Sequence, residues 1–129
     1  MSTTVLLCDD EDVLRQLVRA TLGHSHYAIV EAADGDESLE LARAHRPDLI
    51  VLDMMMPGRS GLEVLRELRA DAELARTPVI MLTARAREAD REEAVAAGAD
   101  RYLAKPFSPL ELISVVEDLL ERGESRAVG

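Results

Sequence analysis

The chain is poor in aromatic residues and cysteine. It has no tryptophan, two tyrosines and one phenylalanine, and its single cysteine, Cys8, has no partner for an internal disulfide. No apolar run approaches the roughly 20 residues that span a bilayer. The start, Met1–Thr4, also lacks the basic and apolar regions of a signal peptide. We therefore expect a cytoplasmic location and no structural disulfide.

Positive charge is scarce as well. The chain has 25 Asp and Glu residues against 15 Lys and Arg residues, which gives a formal net charge of −10. Such a surface repels a phosphate backbone, so we do not expect this segment to bind nucleic acid directly. A length of 129 residues with 47% hydrophobic content fits one folded domain with a single core.

Lysine is the rarest charged residue. Fourteen of the basic residues are Arg, and Lys105 is the only Lys. Because an ammonium group is a compact point charge and a guanidinium group is a wide planar fork, the two are not equivalent at a tight site. Biased composition explains one surviving Lys equally well, so Lys105 becomes a candidate only beside other residues.

Five short apolar segments predict β-strands, and three of them are nearly continuous, as in strands that are covered on both faces. They are Val5–Cys8, Tyr27–Val30, Leu49–Leu52, Val79–Leu82 and Arg101–Ala104. Patterns with helical spacing lie between them. This alternation predicts an α/β fold with a five-stranded parallel sheet, doubly wound as (βα)5.

Two helices differ in how strongly their sequences define them. The last has a clear start, with Ser108 as N-cap and Glu111 completing a capping box. The segment Arg87–Ala97 has mostly Ala as its apolar residues, so we expect it to be the least firmly held helix. Residues 1–122 are predicted to form the domain, and Gly123–Gly129 a frayed polar tail.

Polar residues follow four of the predicted strands, at the sheet edge where open parallel sheets bind ligands. They are Asp9 and Asp10 after the first strand, Asp53 after the third, Thr83 after the fourth and Lys105 after the fifth. Three converging carboxylates repel one another unless a cation neutralises them, and Mg²⁺ prefers such oxygen ligands. A hydroxyl and an ammonium group suit an anionic oxygen, so the set favours phosphoryl transfer to a carboxylate.

Each of these residues also has an ordinary structural explanation. An Asp after a strand is often a turn or cap residue, and Thr83 alone would more often cap a helix. Pro106 after Lys105 fits simple turn chemistry. The coincidence of suitable groups at four separate strand ends is what favours a functional site.

With these residues in place, the sequence resembles the receiver domain of bacterial two-component response regulators over essentially its whole length. The matching blocks are Val5–Glu11, Pro47–Asp53, Met56–Gly58 with Gly61, Pro78–Ala84 and Gly98–Phe107. The resemblance implies a flavodoxin-like fold and a phosphoacceptor switch that assists its own phosphorylation and dephosphorylation, rather than an enzyme.

The resemblance also implies a role for each site residue. Asp53 would be the phosphoacceptor, and Asp9, Asp10 and Asp53 would hold Mg²⁺ together with the backbone carbonyl of Met55. Lys105 would pair with the phosphoryl oxygens, and the bond between Lys105 and Pro106 would be cis. Thr83 and Tyr102 would form the switch, in which the hydroxyl moves toward the phosphoryl group and the aromatic ring turns inward.

The implied partners are proteins. A sensor histidine kinase or a phosphotransfer protein would donate the phosphoryl group, and a downstream protein would bind the face formed by the fourth helix, fifth strand and fifth helix. A phosphorylation-dependent homodimer stays open. Arg101 and Val115 depart from the charge ladder by which receivers of winged-helix transcription factors dimerise, which weakens the case for that dimer.

Three other functions are weighed against this one. A pseudo-receiver that only binds proteins fits chains without the acidic pair, Asp53 or Lys105, and all are present here. A phosphohydrolase that uses an aspartyl phosphate normally has a second Asp where Met55 stands. A flavin carrier needs a loop rich in Ser, Thr or Gly after the first strand, and that loop is acidic here. The sequence does not identify the kinase or the output, and it does not distinguish a stand-alone regulator from part of a longer protein.

We assign no chemistry to the sulfur and imidazole groups. Cys8 is predicted to be a small core residue, and the side chains of Met54, Met55 and Met56 to pack or to line a loop. The histidines lie near the ends of predicted elements without paired ligands, which favours solvated positions; they are His24, His26 and His45.

Overall fold

A computed structural model of the protein describes residues 3–23, 27–84 and 88–128. Strands and helices alternate through these ranges: β1 Thr3–Cys8, α1 Asp12–Leu22, β2 Tyr27–Ala32, α2 Gly35–His45, β3 Leu49–Asp53, α3 Gly61–Ala70, β4 Val79–Thr83, α4 Glu88–Ala97, β5 Arg101–Ala104 and α5 Pro109–Val128. His24 and His26 lie outside the described residues, and His45 is exposed at the end of α2.

The five strands form one parallel sheet in the order β2-β1-β3-β4-β5. The predicted doubly wound α/β fold is therefore confirmed. The chain leaves β1 in one direction to form β2 and then passes to its other side to form β3. The carboxyl ends of β1 and β3 thus flank the point where the winding reverses, which is where open α/β sheets bind ligands.

Two apolar layers cover the sheet. Residues of α1 and α5 pack on one face, where Val18, Leu22, Leu112 and Val116 are buried. Residues of α2, α3 and α4 pack on the other face. Both faces of β1, β3 and β4 are therefore shielded from water, which explains why the sequences of these strands are nearly continuous apolar runs.

Four of the five strands, β1 to β4, are longer than their predicted apolar segments, and β5 matches its segment. The pairing of β1 with β2 begins at Thr3 and Tyr27 and continues to Cys8 and Ala32, beyond the predicted limits on both strands. Backbone hydrogen bonds extend a ladder through residues whose side chains carry no hydrophobic signal, so hydrophobicity alone underestimates strand length. Cys8 is fully buried, as predicted, and burial raises the pKa of its thiol to about 12.

The fourth helix buries little of its surface and the fifth begins with a side-chain cap, as their sequences predict. Ala94 is the buried hydrophobic residue of α4, while Oγ of Ser108 accepts a 3.1 Å hydrogen bond from the backbone NH of Glu111 at the start of α5. However, α5 continues to Val128, past the predicted start of a frayed tail at Gly123. The boundary of the domain at residue 122 stays a prediction.

Arg69, near the end of α3, joins the two connections that lead into the amino ends of β4 and β5. Its guanidinium donates hydrogen bonds to the carbonyls of Gly98, Leu74, Ala75 and Thr77, at 2.7 to 3.4 Å. It also binds Asp100 at 3.0 Å. Arg69 therefore stabilises the amino ends of these strands, opposite the candidate site at the carboxyl ends. Within the described ranges, no helix is long and apolar enough to cross a membrane.

Candidate functional site

Three carboxylates meet where β1 and β3 end. Asp9 and Asp10 follow β1, and Asp53 is the last residue of β3. One carboxylate oxygen from each lies within 4.8 Å of the other two. Asp9 and Asp53 are buried, whereas Asp10 is exposed. The sheet topology therefore brings together the acidic residues that the sequence predicts as metal ligands.

The loop that carries Asp9 and Asp10 is held by several hydrogen bonds. The backbone NH of Asp9 donates to the carbonyl of Ala32 at 3.1 Å, and the NH of Glu11 donates to Oδ1 of Asp9 at 2.9 Å. Nη1 of Arg15 donates to the carbonyl of Asp9 at 2.6 Å. Sequence reasoning missed Arg15, because a contact with a backbone carbonyl has no partner side chain that a pattern could reveal.

Lys105 reaches the same carboxylates from the end of β5. Its Nζ lies 3.0 Å from Oδ2 of Asp9, 3.4 Å from Oδ2 of Asp53 and 3.7 Å from Oε1 of Glu11. Its backbone NH donates to the carbonyl of Thr83 at 2.6 Å, and the bond to Pro106 is cis, as the resemblance implies. The single lysine of the chain is thus the ammonium group of this site.

Burial and charge shift the protonation equilibria of both partners. Desolvation, and after it the Asp9 carboxylate, raise the pKa of Asp53 to about 6, while Lys105 and the backbone NH of Met55 oppose the shift. Burial lowers the pKa of Lys105, but its hydrogen bond to Asp9 and the nearby carboxylates raise it by more. The ammonium group therefore stays protonated, and Asp53 takes up a proton at a higher pH than an ordinary aspartate does.

Thr83 and Tyr102 lie on the neighbouring strands β4 and β5. Thr83 ends β4 and is buried. Tyr102, in β5, is half-buried against the core on the side of α2, α3 and α4. In the sheet register, Thr83 is paired with Ala104, the residue before Lys105. The roles of Thr83 and Tyr102 in a switch stay predictions.

The loop after Asp53 packs tightly on the strand end. A Cβ atom at Gly61 would lie 2.2 Å from the carbonyl oxygen of Asp53, so only glycine allows this approach. The NH of Met55 donates to Oδ1 of Asp53 at 3.3 Å, and its side chain is exposed. Met54 and Met56 are buried, which agrees with their predicted packing role. The carbonyl of Met55 as a metal ligand stays a prediction.

The donor set fits a hard divalent cation. Three carboxylates and one ammonium group leave this edge with net negative charge, and two of the carboxylates are buried. Mg²⁺ binds such oxygen ligands and keeps several of its waters, so it fits this set without further protein side chains. Among the described residues, this is the group of three acidic, histidine or cysteine side chains that could hold a metal.

Comparison with known proteins agrees with this geometry. A family model described as the response regulator receiver domain matches residues 5–117. The chain belongs to the response regulator receiver family. It is therefore a receiver domain of the two-component type, in a family of phosphoacceptor switches rather than of conventional enzymes.

Relatives of this receiver domain include two transcriptional regulators. The transcriptional regulatory protein ResD of Bacillus subtilis is 47% identical over 120 residues, which cover 93% of this chain and 49% of that protein. The transcriptional regulatory protein SrrA of Staphylococcus aureus is 42% identical over 128 residues, covering 99% of this chain and 52% of SrrA. The chain thus spans about half the length of these relatives.

Solved structures resemble the receiver domain closely. The chemotaxis protein CheY4 of Vibrio cholerae has a TM-score of 0.87 and 34% identity, covering 92% of this chain and 99% of that one. The receiver domain of the sensor histidine kinase PA1611 of Pseudomonas aeruginosa has a TM-score of 0.86 and 34% identity, covering 94% of this chain and 99% of that one. The latter structure has a magnesium ion coordinated in its active-site cleft.

One charged residue on the α4, β5 and α5 side of this receiver domain is paired within the chain. Arg101 of β5 donates a hydrogen bond to the carboxylate of Asp118 in α5. Arg101 is one of the two residues, with Val115, that depart from the charge ladder expected of winged-helix receivers. Its guanidinium is therefore engaged by a neighbouring helix of the same chain, and the dimer stays untested.

Proposed function

We propose that this receiver domain accepts a phosphoryl group on Asp53 in the presence of Mg²⁺. The observation that supports this most directly is the position of Asp53, at the end of a central strand. Its carboxylate lies within 4.8 Å of the Asp9 and Asp10 carboxylates and 3.4 Å from the ammonium group of Lys105. Nucleophile, metal ligands and counter-charge for a phosphoryl group are thus in one place.

Each residue of the site has a distinct role in the proposed phosphoryl transfer. A carboxylate oxygen of Asp53 attacks the phosphorus atom, and the bond from phosphorus to the donor breaks with its electron pair left on the donor. Asp9, Asp10 and Asp53, with the carbonyl of Met55, would hold Mg²⁺, which supplies charge neutralisation on the phosphoryl oxygens. Lys105 adds a second positive charge on the side of β5.

The protonation states suit this chemistry at neutral pH. With a pKa of about 6, Asp53 is mostly ionised at pH 7 and can act as a nucleophile. A protonated Lys105 would stay beside the product, because an ammonium group attracts the charge that the phosphoryl group brings. The same groups would assist hydrolysis, so the domain would promote its own phosphorylation and dephosphorylation.

The donor and the output follow from the same proposal. A sensor histidine kinase or a phosphotransfer protein would supply the phosphoryl group. Thr83 and Tyr102 would then transmit its arrival to the face formed by α4, β5 and α5, where a downstream partner binds. The small burial of α4 supports this face as the mobile part. A cytoplasmic location and a phosphorylation-dependent homodimer remain predictions from the sequence.

The test is intact-mass spectrometry after incubation with Mg²⁺ and a small acyl phosphate or phosphoramidate. We expect a mass increase of one phosphoryl group that requires Mg²⁺, is removed by hydroxylamine and is absent in Asp53→Asn. Asp48→Asn is the matched control, because Asp48 is exposed just before the amino end of the same strand. An adduct of equal size in Asp53→Asn would remove Asp53 from this role.

Absence of an adduct in the wild-type protein has two explanations that a second reagent separates. Beryllofluoride mimics a phosphoryl group but does not undergo hydrolysis. If it binds in a Mg²⁺-dependent manner, the acyl phosphate forms and is lost rapidly. If neither reagent binds, the alternative of a pseudo-receiver that only binds proteins is favoured.

A further inference from the structure

Arg15 connects α1 and β2 with the acidic loop that carries Asp9 and Asp10. It lies on α1, and its side chain is only 15% exposed. Nη1 donates to the carbonyl of Asp9 at 2.6 Å, Nη2 to Oδ1 of Asp12 at 2.8 Å and Nε to Oε1 of Glu31 at 3.2 Å. Two carboxylates therefore hold the guanidinium in one orientation, and that orientation directs one N–H group at the loop.

The carbonyl that Arg15 binds belongs to the peptide between Asp9 and Asp10. Rotation of this peptide would move the Asp10 side chain relative to Asp9, because the same plane carries the backbone nitrogen of Asp10. The Asp9 carboxylate is already tied to the NH of Glu11 at 2.9 Å and to Lys105 at 3.0 Å. Asp10 is exposed and follows this peptide directly, so the orientation of the peptide sets the direction in which the Asp10 side chain leaves the loop.

We propose that Arg15 is a positioning residue for the Mg²⁺ site: it fixes the peptide between Asp9 and Asp10 and thereby strengthens Mg²⁺ binding. This inference rests on the proposed function. Residues that orient metal ligands without touching the ion typically change its affinity by about 10- to 100-fold.

Geometry and charge predict opposite effects of removing Arg15. A positive charge near the carboxylates disfavours a cation, so its loss would tighten Mg²⁺ binding if charge dominated. The carboxylates of Asp12 and Glu31 lie 2.8 and 3.2 Å from the guanidinium and offset its charge. The hydrogen bond to Asp9 remains as the larger contribution, and its loss weakens binding. Whether Mg²⁺ binding becomes weaker or tighter when Arg15 is replaced therefore distinguishes the geometric effect from the effect of charge.

Arg19 provides a matched control one helical turn further along α1. It binds the same Glu31 carboxylate at 2.7 Å and the carbonyl of Ile29 at 3.3 Å. These contacts are on β2, away from the peptide that follows Asp9. Substitution of Arg19 thus removes one positive charge and one partner of Glu31 without removing the hydrogen bond to the acidic loop.

The experiment is calorimetric titration of Mg²⁺ into the full chain and its variants. We expect Arg15→Gln to weaken Mg²⁺ binding by about tenfold or more, and Arg19→Gln to change it by less than about twofold, because the exposed pair adds little. Arg15→Lys keeps the charge, but one ammonium group does not span the three acceptors, so we expect it to resemble Arg15→Gln. Phosphorylation of Arg15→Gln should approach the wild-type rate as Mg²⁺ is raised.

The possible outcomes separate a positioning role from a purely electrostatic one. Unchanged or tighter binding in Arg15→Gln, or full wild-type affinity in Arg15→Lys, would overturn the role of Arg15 while leaving the phosphoacceptor proposal intact. Failure of the wild-type protein to bind Mg²⁺ would overturn both. Circular dichroism checks folding. If Arg15→Gln does not fold, the Mg²⁺ titration is made with Arg15→Lys and Glu31→Gln instead. Glu31→Gln weakens the anchor of the guanidinium and leaves the residues of the acidic loop unchanged.

Discussion

Nζ of Lys105 donates a 3.0 Å hydrogen bond to Oδ2 of Asp9, a carboxylate with no exposed surface. The two residues are 96 positions apart in the chain, and the sheet topology brings them together. Because Asp53 lies 3.4 Å from the same Nζ, one ammonium group faces two buried carboxylates. The electrostatic balance of the site therefore depends on the shape of this single cation as well as on its charge.

Substitution of Lys105 by Arg tests that dependence on shape. The planar guanidinium is wider than an ammonium group and does not fit between the Asp9 and Asp53 carboxylates in the same place. We expect Lys105→Arg to slow Mg²⁺-dependent phosphorylation by about tenfold or more, the scale of one lost charged hydrogen bond. The initial rate with a small phosphodonor measures this. Arg66→Lys, an exposed exchange on α3, should leave the rate unchanged.

The raised pKa of Asp53 predicts a pH-dependent stability effect of Asp53→Asn. An Asp whose pKa rises from 3.8 to about 6 on folding binds its proton more tightly in the folded state. Stability from this group is therefore present below pH 3.8 and is lost as the pH rises through about 6. Asn is neutral throughout, so the variant should be more stable than wild type at pH 8, by about 1 to 3 kcal/mol without Mg²⁺.

Chemical denaturation at several pH values measures this difference. The gain in free energy of unfolding should shrink toward zero near pH 4, and Mg²⁺ should reduce it at pH 8, because the cation stabilises the wild-type carboxylates. A difference between the two proteins that does not vary with pH would contradict the assignment of a raised pKa to Asp53.

The close approach at Gly61 predicts a large effect from a small substitution. In Gly61→Ala the added Cβ atom would meet the carbonyl oxygen of Asp53 at 2.2 Å and Cα of Met54 at 2.8 Å, so the backbone must shift. We expect a loss of roughly 2 to 4 kcal/mol in the free energy of unfolding. A loss of phosphorylation should accompany it, because the displaced atoms belong to the phosphoacceptor residue.

Gly23→Ala is the matched control for this substitution. A Cβ atom at Gly23 would have no neighbour within 4 Å, and its φ of −62° suits any L-residue. Restricting the unfolded chain should make this variant neutral or more stable by about 0.4 to 1 kcal/mol. Equal losses in the two variants would show that steric contact at Gly61 is not the cause.

Arg69 offers a prediction that separates stability from the site. In Arg69→Met the carbonyls of Gly98 and Thr77 lose their donor, and we expect a loss of about 2 to 3 kcal/mol in the free energy of unfolding. Arg66→Met, on an exposed part of the same helix, should change it by less than about 0.5 kcal/mol. Folded Arg69→Met should still be phosphorylated, since Arg69 is at the opposite sheet edge.

The site could be predicted from the sequence because it follows from topology. Once Val5–Cys8 and Leu49–Leu52 are recognised as parallel strands, Asp9 and Asp53 must lie at one edge, whatever the details of packing. Lys105 and Thr83 are placed by the same rule. The fold was predictable for a related reason, since strands buried on both faces leave continuous apolar runs that are hard to mistake.

Contacts with the backbone could not be predicted in this way. The acceptors of Arg15 and Arg69 include carbonyls, which every residue carries, so no pattern of residue types marks them. Arg15 had a partial signal in Asp12, three residues before it on the predicted helix. Leu17 lies next to the buried Val18 on α1 but is 46% exposed, so the apolar character of a residue on this helix does not by itself place it on the buried face.

The residues of the site are synthesised in a fixed order. A ribosome makes the acidic pair first, then Asp53, and makes Lys105 only with β5, at the edge of the sheet. A nascent chain that has reached α4 carries every carboxylate of the site without the ammonium group that balances them. In such a chain the Asp9 and Asp53 carboxylates lack the ammonium group that lies 3.0 and 3.4 Å from them in the complete domain, so their mutual repulsion is offset only after β5 has been made.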